Sequence, residues 1–355
     1  MKSEDIAKIV GVSRSTVSRV INNYPDIPVA TREKVLKAIK EYNYYPNASA
    51  RKLAGIKNST LGVFVVDIKD DETPHHVIKN NEALLYGNTF FAPFINAFID
   101  QSNKTNYYVL ISTIYSTSEL WKIQSAFYEK RIDGGVIIGS NKEDYKKILK
   151  QMKKEFFLAA VDIETDDFNK DRAIYVNINN YKAAYDIGKY LIELGHKRIG
   201  IITGDLEKLS GKNRFDGFKQ ALKDYNINLK DDFIGYGDFT EPSSYLAMKN
   251  ILKSSPRPTA VFVSNDTMAI GAYKAIGELN LKIPDDISII GFDNTEISEY
   301  MSPPLTTVSV SFYEVAKYTA GLLIESIENG NLKTVHKVVD AKIVKRKSCK
   351  NISTD

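Results

Sequence analysis

The chain has 355 residues, 43% hydrophobic and 26% charged, ordinary proportions for a globular protein of two or three domains. Its one cysteine, Cys349, excludes an internal disulfide, and no run of about 18 apolar residues is present to span a membrane. The formal net charge is only +4, yet residues 1–57 hold 11 Lys/Arg against 5 Asp/Glu. Positive charge gathered on one small domain is the electrostatic footprint of a nucleic-acid binder.

The first residues have no apolar signal-peptide core, so a reducing cytoplasm is the expected compartment. Ser3 is placed to cap a first helix, with Glu4 and Asp5 at its positive end and Ile6, Ala7 and Val10 on its apolar face. Gly11 permits a tight turn, and Ser13 caps a second helix. There Val17, Val20 and Ile21 point to a core. The opposite face carries Arg14, Ser15, Ser18, Arg19 and Asn22 and no acid. Such a face approaches phosphates without repulsion and offers donors to base edges, the layout of a helix-turn-helix. A third helix is expected from about Thr31 to Tyr42, with Val35, Leu36 and Ile39 inward. After Pro46, Asn47 can cap a short segment to Ala54, too short to be stable alone in water.

The set Asp5-Ile6-Ala7, Gly11-Val12-Ser13, Thr16 to Asn22, Thr31 to Val35, Tyr45-Pro46-Asn47, Ala50 and Leu53-Ala54 resembles the headpiece of the LacI/GalR repressors. The resemblance implies that Arg14 and Ser15 read bases and that Arg19 contacts guanine or a phosphate. Ser13, Thr16, Ser18 and Asn22 would position the DNA backbone. Asn47, Ala50 and Leu53 would belong to a hinge helix that orders on the operator, Leu53 wedging into its minor groove. Packing of Leu53 on a dimer mate is the plainer alternative.

From Leu61 onward, short apolar runs alternate with helical patterns. The runs are 61–66, 108–111, 135–138, 158–161, 198–202, 260–263 and 287–290, and the clearest helical patterns are Tyr181–Leu194, Arg214–Lys223 and Met268–Leu279. This alternation predicts parallel sheets covered on both faces, in two subdomains, with ligands beyond the carboxyl ends of the strands. Here the chain is similar to the same family's sensor, a two-lobed periplasmic-binding-protein-like domain. Asn88 to Phe91, Leu194 to Gly200, Arg214 with Gly217-Phe218, Gly237 to Phe239, Ser264 to Asp266 and Gly291 to Asp293 carry the likeness.

The fold expected is thus an all-α helix-turn-helix headpiece followed by an α/β two-lobed domain with parallel sheets. Its parts are a headpiece at 1–46, a hinge at 47–57, a sensor and dimerisation domain at 58–345, and a tail at 346–355. Phe91, Asp162, Arg214, Phe239, Asn265 and Asp293 are the candidate effector residues. The aspartates suit hydroxyl donors, Arg214 and Asn265 can donate, and the phenylalanines can cover an apolar ring face. Arg214 and Asp293 could instead pair with each other. Asp266 is read as a helix cap and Phe90 as core. The polar stretch Lys69–Gly87 is longer than the family's usual link and leaves the effector open.

Ser210 to Asn213 resembles the end of a phosphate loop, but Asn213 replaces Ser/Thr and the upstream glycine spacing is wrong. No hydrolase or metalloprotease motif occurs, and the four scattered histidines are read as surface or loop residues. No catalytic centre, cofactor or metal is therefore expected. The expected protein is a homodimeric repressor on a pseudo-palindromic double-stranded DNA operator, with a sugar or glycoside as effector. Alternatives are a nucleobase effector, control by a phosphocarrier protein, and a pure sugar-binding protein of an uptake system. Lys345–Asp355 shows no heptads, so no tetramerisation helix is expected.

Overall fold

The computed structural model describes residues 1–21, 24–44, 58–68, 91–165 and 173–353. The N-terminal unit holds α1 (Ser3–Val10), α2 (Arg14–Ile21) and α3 (Val29–Glu41). Ile6, Ala7, Val17, Val20, Val35 and Ala38 form its core. Gly11 makes the α1–α2 turn at φ 72°, a left-handed conformation that glycine adopts without a Cβ clash.

Two local expectations need correction. Ser3 is the first residue of α1 rather than its cap, and Asp5 closes the end by accepting the Lys2 backbone N–H at 2.7 Å. Helix α3 begins two residues early because Pro28, at φ −54°, already has helical φ and ends the loop. Val35 and Ala38 then face inward, and Leu36, one residue from Val35 and so about 100° away, is 48% exposed.

The larger unit begins with β1 (Thr60–Val66), α4 (Phe91–Asn103), β2 (Tyr108–Ile114), α5 (Trp121–Tyr128) and β3 (Gly134–Ile138). Then come α6 (Lys142–Gln151), β4 (Phe157–Val161), β5 (Ile174–Ile178), α7 (Asn180–Glu193), β6 (Ile199–Ile202) and α8 (Leu209–Asp224). Next are β7 (Ile234–Gly235), α9 (Glu241–Ile251), β8 (Ala260–Val263), α10 (Asp266–Glu278), β9 (Ser288–Ile290) and α11 (Ile297–Tyr300). The unit ends with β10 (Thr307–Ser309), α12 (Phe312–Asn329), β11 (Val335–Val339) and β12 (Lys342–Val344).

The strands make a six-stranded parallel sheet of order β11-β5-β4-β3-β1-β2 and a four-stranded parallel sheet of order β7-β6-β8-β9. Each is the core of one lobe. Alternation along β1 shows why the strands are apolar throughout. Leu61, Val63 and Val65 enter one core cluster, and Phe64 and Val66 the other. The chain passes between the lobes after β5, after β10 and after β11, and β10 and β12 pair antiparallel.

Residues 346–353, drawn from the sequence as a tail, pack into the second lobe. Ser348 is fully buried, donates to the Ile289 carbonyl at 2.6 Å and accepts the Thr306 N–H at 2.7 Å. His196, read as a surface residue, is 1% exposed. Its Nε2 donates to the Lys350 carbonyl at 3.1 Å and its Nδ1 meets the Thr259 hydroxyl at 2.9 Å. Burial pushes its pKa below the ordinary histidine range.

Candidate DNA-reading face and ligand cleft

In α2 the core side is buried, and Ser13, Arg14, Ser15, Ser18 and Arg19 are exposed, with Thr16 half-buried. Ser13 caps the helix, its hydroxyl accepting the Thr16 N–H at 3.0 Å and meeting the hydroxyls of Ser15 at 2.7 Å and Thr16 at 2.8 Å. The face has no acid of its own, but neighbouring carboxylates reach its arginines. Arg14 lies 3.3 Å from Glu4, and Arg19 pairs with Asp26 while its guanidinium stands 5.4 Å from the Tyr24 ring. Exposed pairs of this kind are weak and exchangeable, so phosphates or base edges can take their place. Asn22, Asn47, Ala50 and Leu53 lie outside the described residues, as do Phe90 and the Lys69–Gly87 stretch.

The second site is centred on Arg214, in the second turn of α8 and 2% exposed. Its Nε donates to Asn180 Oδ1 at 2.9 Å, one terminal nitrogen to the Ser264 carbonyl at 2.5 Å, and the other to Asp293 Oδ1 at 3.4 Å. The guanidinium lies 3.6 Å from the Phe292 ring centroid and 5.8 Å from that of Phe239. Asp293 follows β9 and is 3% exposed, and its backbone N–H donates to the Val308 carbonyl at 2.9 Å. Asp162 follows β4 in the other lobe, where it accepts from Asn180 Nδ2 at 2.9 Å and from the Ser210 hydroxyl.

Three of these residues hold backbone conformations that L-residues seldom adopt. Asp162 has φ 56°, Phe239 φ 70° and Asp293 φ 107°. Strain of this kind persists only where surrounding structure enforces it, and it concentrates at ligand sites. Burial pushes the Asp293 carboxyl up to about 7, against the pull of Arg214 and with the push of Asp266 and Asp162. Burial also raises Asp162, which Arg214 opposes. Burial lowers Arg214, and Asp293 and Asp162 hold it up. The guanidinium thus serves two carboxylates from different lobes, and each stays costly to ionise.

Three assignments change. Asn265, expected as a ligand donor, caps α10: its Oδ1 accepts the Met268 N–H at 2.8 Å and its Nδ2 donates to the Phe239 carbonyl at 3.4 Å. Asp266, expected as that cap, is buried and accepts from Thr295 N–H at 2.7 Å and from the hydroxyls of Thr307 at 2.6 Å and Thr295 at 3.1 Å. Burial raises its carboxyl to about 6. The side chain one residue earlier reaches the free N–H groups, and Asp266 turns to the following loop. Phe91 is 5% exposed within the first-lobe core, behind Gly139, where a Cβ would come within 2.7 Å of its ring. It packs rather than presenting a free face to a ligand.

Sequence reasoning missed Asn180, Ser210, Phe292, Asp67 and Lys208. Asn180 and Asp67 stand just after strands, the position the open-sheet rule singles out. Lys208 has no local signal. A cavity of about 290 Å³ opens between the lobes, lined by Asp67, Gly139, Asn141, Asp205, Lys208 and Asp238 among others, and none of the candidate effector residues is among its lining. No group of three or more metal-ligating side chains occurs among the described residues, nor a helix long and apolar enough to cross a membrane.

Residues 4–47 match the family described as bacterial regulatory proteins, lacI family, and residues 189–349 match a periplasmic binding protein-like domain. The chain is 34% identical over 352 residues to an HTH-type transcriptional repressor PurR of Mannheimia succiniciproducens, covering 99% of both chains. It is 32% identical over 346 residues to the PurR repressor of Klebsiella pneumoniae, covering 97% of this chain and 96% of that one. The chain belongs to the LacI family. It is a DNA-binding transcriptional repressor of that family. Its fold matches the operator-bound Lac repressor dimer, with a TM-score of 0.78 at 24% identity and coverage of 98% of both chains. A cellobiose complex of the regulator CelR superposes at TM-score 0.72 and 25% identity, over 98% of this chain and 99% of that one.

Proposed function

We propose that this LacI-family repressor acts as a cytoplasmic homodimer on a pseudo-palindromic operator and responds to an uncharged small molecule bound between its lobes, a sugar or glycoside. The carrying observation is the buried Arg214–Asp293 pair at 3.4 Å. A carboxylate accepts up to about four hydrogen bonds, and this long contact leaves Asp293 with spare acceptor capacity. Asp162 offers a second carboxylate from the opposite lobe, and the Phe239 ring can cover an apolar ring face. A hydroxyl-rich ligand satisfies both carboxylates at once and draws the lobes into one arrangement. The effector then changes how the hinge segments meet and alters operator affinity by about 1–3 kcal/mol. The cellobiose complex of CelR supports the sugar reading. A nucleobase is the second reading, favoured by the name PurR that several relatives carry.

Thermal denaturation against a panel of neutral sugars, nucleobases and nucleosides tests the class. A ligand at about 100 times its dissociation constant adds about 2.7 kcal/mol and raises the midpoint by several degrees. Asp293→Ala should abolish that shift while leaving binding to operators selected from random DNA intact. A shift that survives in Asp293→Ala places the ligand elsewhere. No shift across the panel overturns the small-molecule reading.

A further inference from the structure

The lobes are tied by charges that neither DNA reading nor the Arg214 cluster uses. Lys208 stands at the N-cap of α8 in the second lobe, and its Nζ lies 2.6 Å from Oδ1 of Asp67, which follows β1 in the first. The Asp67 side chain is 5% exposed and that of Lys208 20%. One turn on, Lys212 lies 3.7 Å from Glu164, which follows β4, and Glu164 lies 3.6 Å from Lys142. The start of α8 therefore puts two ammonium groups onto carboxylates at the carboxyl ends of first-lobe strands.

Helix physics alone argues against lysines there. A helix N-terminus carries partial positive charge and favours acids, yet the first turn of α8 contains none. What stabilises the two lysines lies on the other lobe. The inner pair is mostly shielded from solvent, so separating the lobes would break a 2.6 Å ion pair that screening weakens little. Asp67 and Lys208 also line the cavity of about 290 Å³, so a ligand there meets this pair directly.

We propose that the Asp67–Lys208 pair, backed by Lys212–Glu164, is a latch that holds the lobes in the arrangement seen here and sets how far an effector can shift them. Its consequence for operator binding rests on the effector reading above; the latch itself does not. Lys208 and Lys212 are positioning residues, acting through the relative placement of the lobes.

The test uses the full chain with fluorescent labels at Lys150→Cys and Lys253→Cys, one exposed site per lobe, diluted with unlabelled chain so that one labelled copy is read at a time. Asp67→Asn and Lys208→Met should each raise the ratio of open to closed molecules about tenfold. Lys212→Met should do so by less, because its pair is more exposed. The charge swap Asp67→Lys with Lys208→Asp should restore the closed distance, which a purely steric role would not. Unchanged distances in both inner single variants, or a swap that leaves the opening unrelieved, overturn the latch. Should an inner variant fail to fold, the sign of the Lys212→Met shift decides, since no opening there contradicts the proposal. Opening without any change in operator affinity supports the latch and sinks the coupling of lobe position to DNA.

Discussion

Arg19 and Arg214 set the two halves of the molecule side by side. The Arg19 side chain is 46% exposed and its partner Asp26 51% exposed, on a helix whose whole outer face is open to solvent. The side chains of Arg214 and its partner Asp293 are each 2% exposed, and the guanidinium is held by Asn180, the Ser264 carbonyl and the Phe292 ring. The first arginine is kept available, by a pair that water screens and a phosphate can replace. The second is part of the scaffold: it shapes a site by neutralising carboxylates that could not otherwise stay buried. The proposed function calls for both kinds: DNA contacts that exchange among sequences, and a sensor that changes state only for a particular ligand.

The sharpest break of this comparison is Arg214→Met. It should lower stability by about 3–5 kcal/mol in urea titrations, because buried Asp293 loses the guanidinium it pairs with. A loss below 1 kcal/mol would mean that the cluster is wetter than its burial indicates. Arg19→Ala, by contrast, should leave the urea midpoint unchanged. It should weaken specific operator binding by about 1–3 kcal/mol, roughly ten- to hundredfold, in anisotropy titrations. Ser13→Ala lies between the two. It should cost about 1 kcal/mol of headpiece stability through the lost cap, with a matching fall in operator affinity at temperatures near the headpiece melt.

Acidity separates the halves again. The Asp293 carboxyl, raised to about 7 by burial, binds its proton more tightly in the folded chain than in the unfolded one, where it titrates near about 3.9. Its stabilising contribution is therefore full below about pH 4 and lost as pH rises through about 7. Asp266, raised to about 6, acts in the same direction. Between pH 5 and 8 Asp293→Asn should flatten the fall of the urea midpoint with pH. Hydroxyl donors prefer the ionised carboxylate, so effector affinity should rise over the same range. The smallest effect expected is that of Asp26→Asn, which frees Arg19 and should tighten non-specific DNA binding by less than about fivefold at low salt.

Legibility in the sequence followed the range of the interactions. The α1–α2 turn, the Ser13 cap and the α2 reading face are set within a few residues of one another, and they stand where the chain's pattern places them. Six of the seven apolar runs are strands buried on both faces, which needs apolar residues throughout, and the seventh, β2, is a partly exposed edge strand. Strands β5, β7, β10, β11 and β12 were not anticipated. Three of them, β7, β10 and β12, are only two or three residues long, β11 alternates Val335, Lys337 and Val339 with residues facing water, and the polar Asn177 interrupts β5, so neither apolar length nor continuity marks them. The cap at Asn265 and the inward turn of Asp266 are one residue apart, and only the position of Thr295 and Thr307 tells them apart.

By itself the sequence determined the helix-turn-helix with its acid-free exposed face, the parallel α/β architecture, and the polar residues waiting at strand ends. Those follow from periodicity, capping and charge, which act locally. Tertiary structure alone decided that Arg214 pairs with Asp293 and is acted on through space by Asp162, 131 residues before Asp293, that Phe91 is core, that residues 346–353 pack into the second lobe, and that Lys208 closes on Asp67. Each of these depends on which strand ends meet across the cleft. That is set by sheet order and by the three passages between lobes, and no local pattern encodes it.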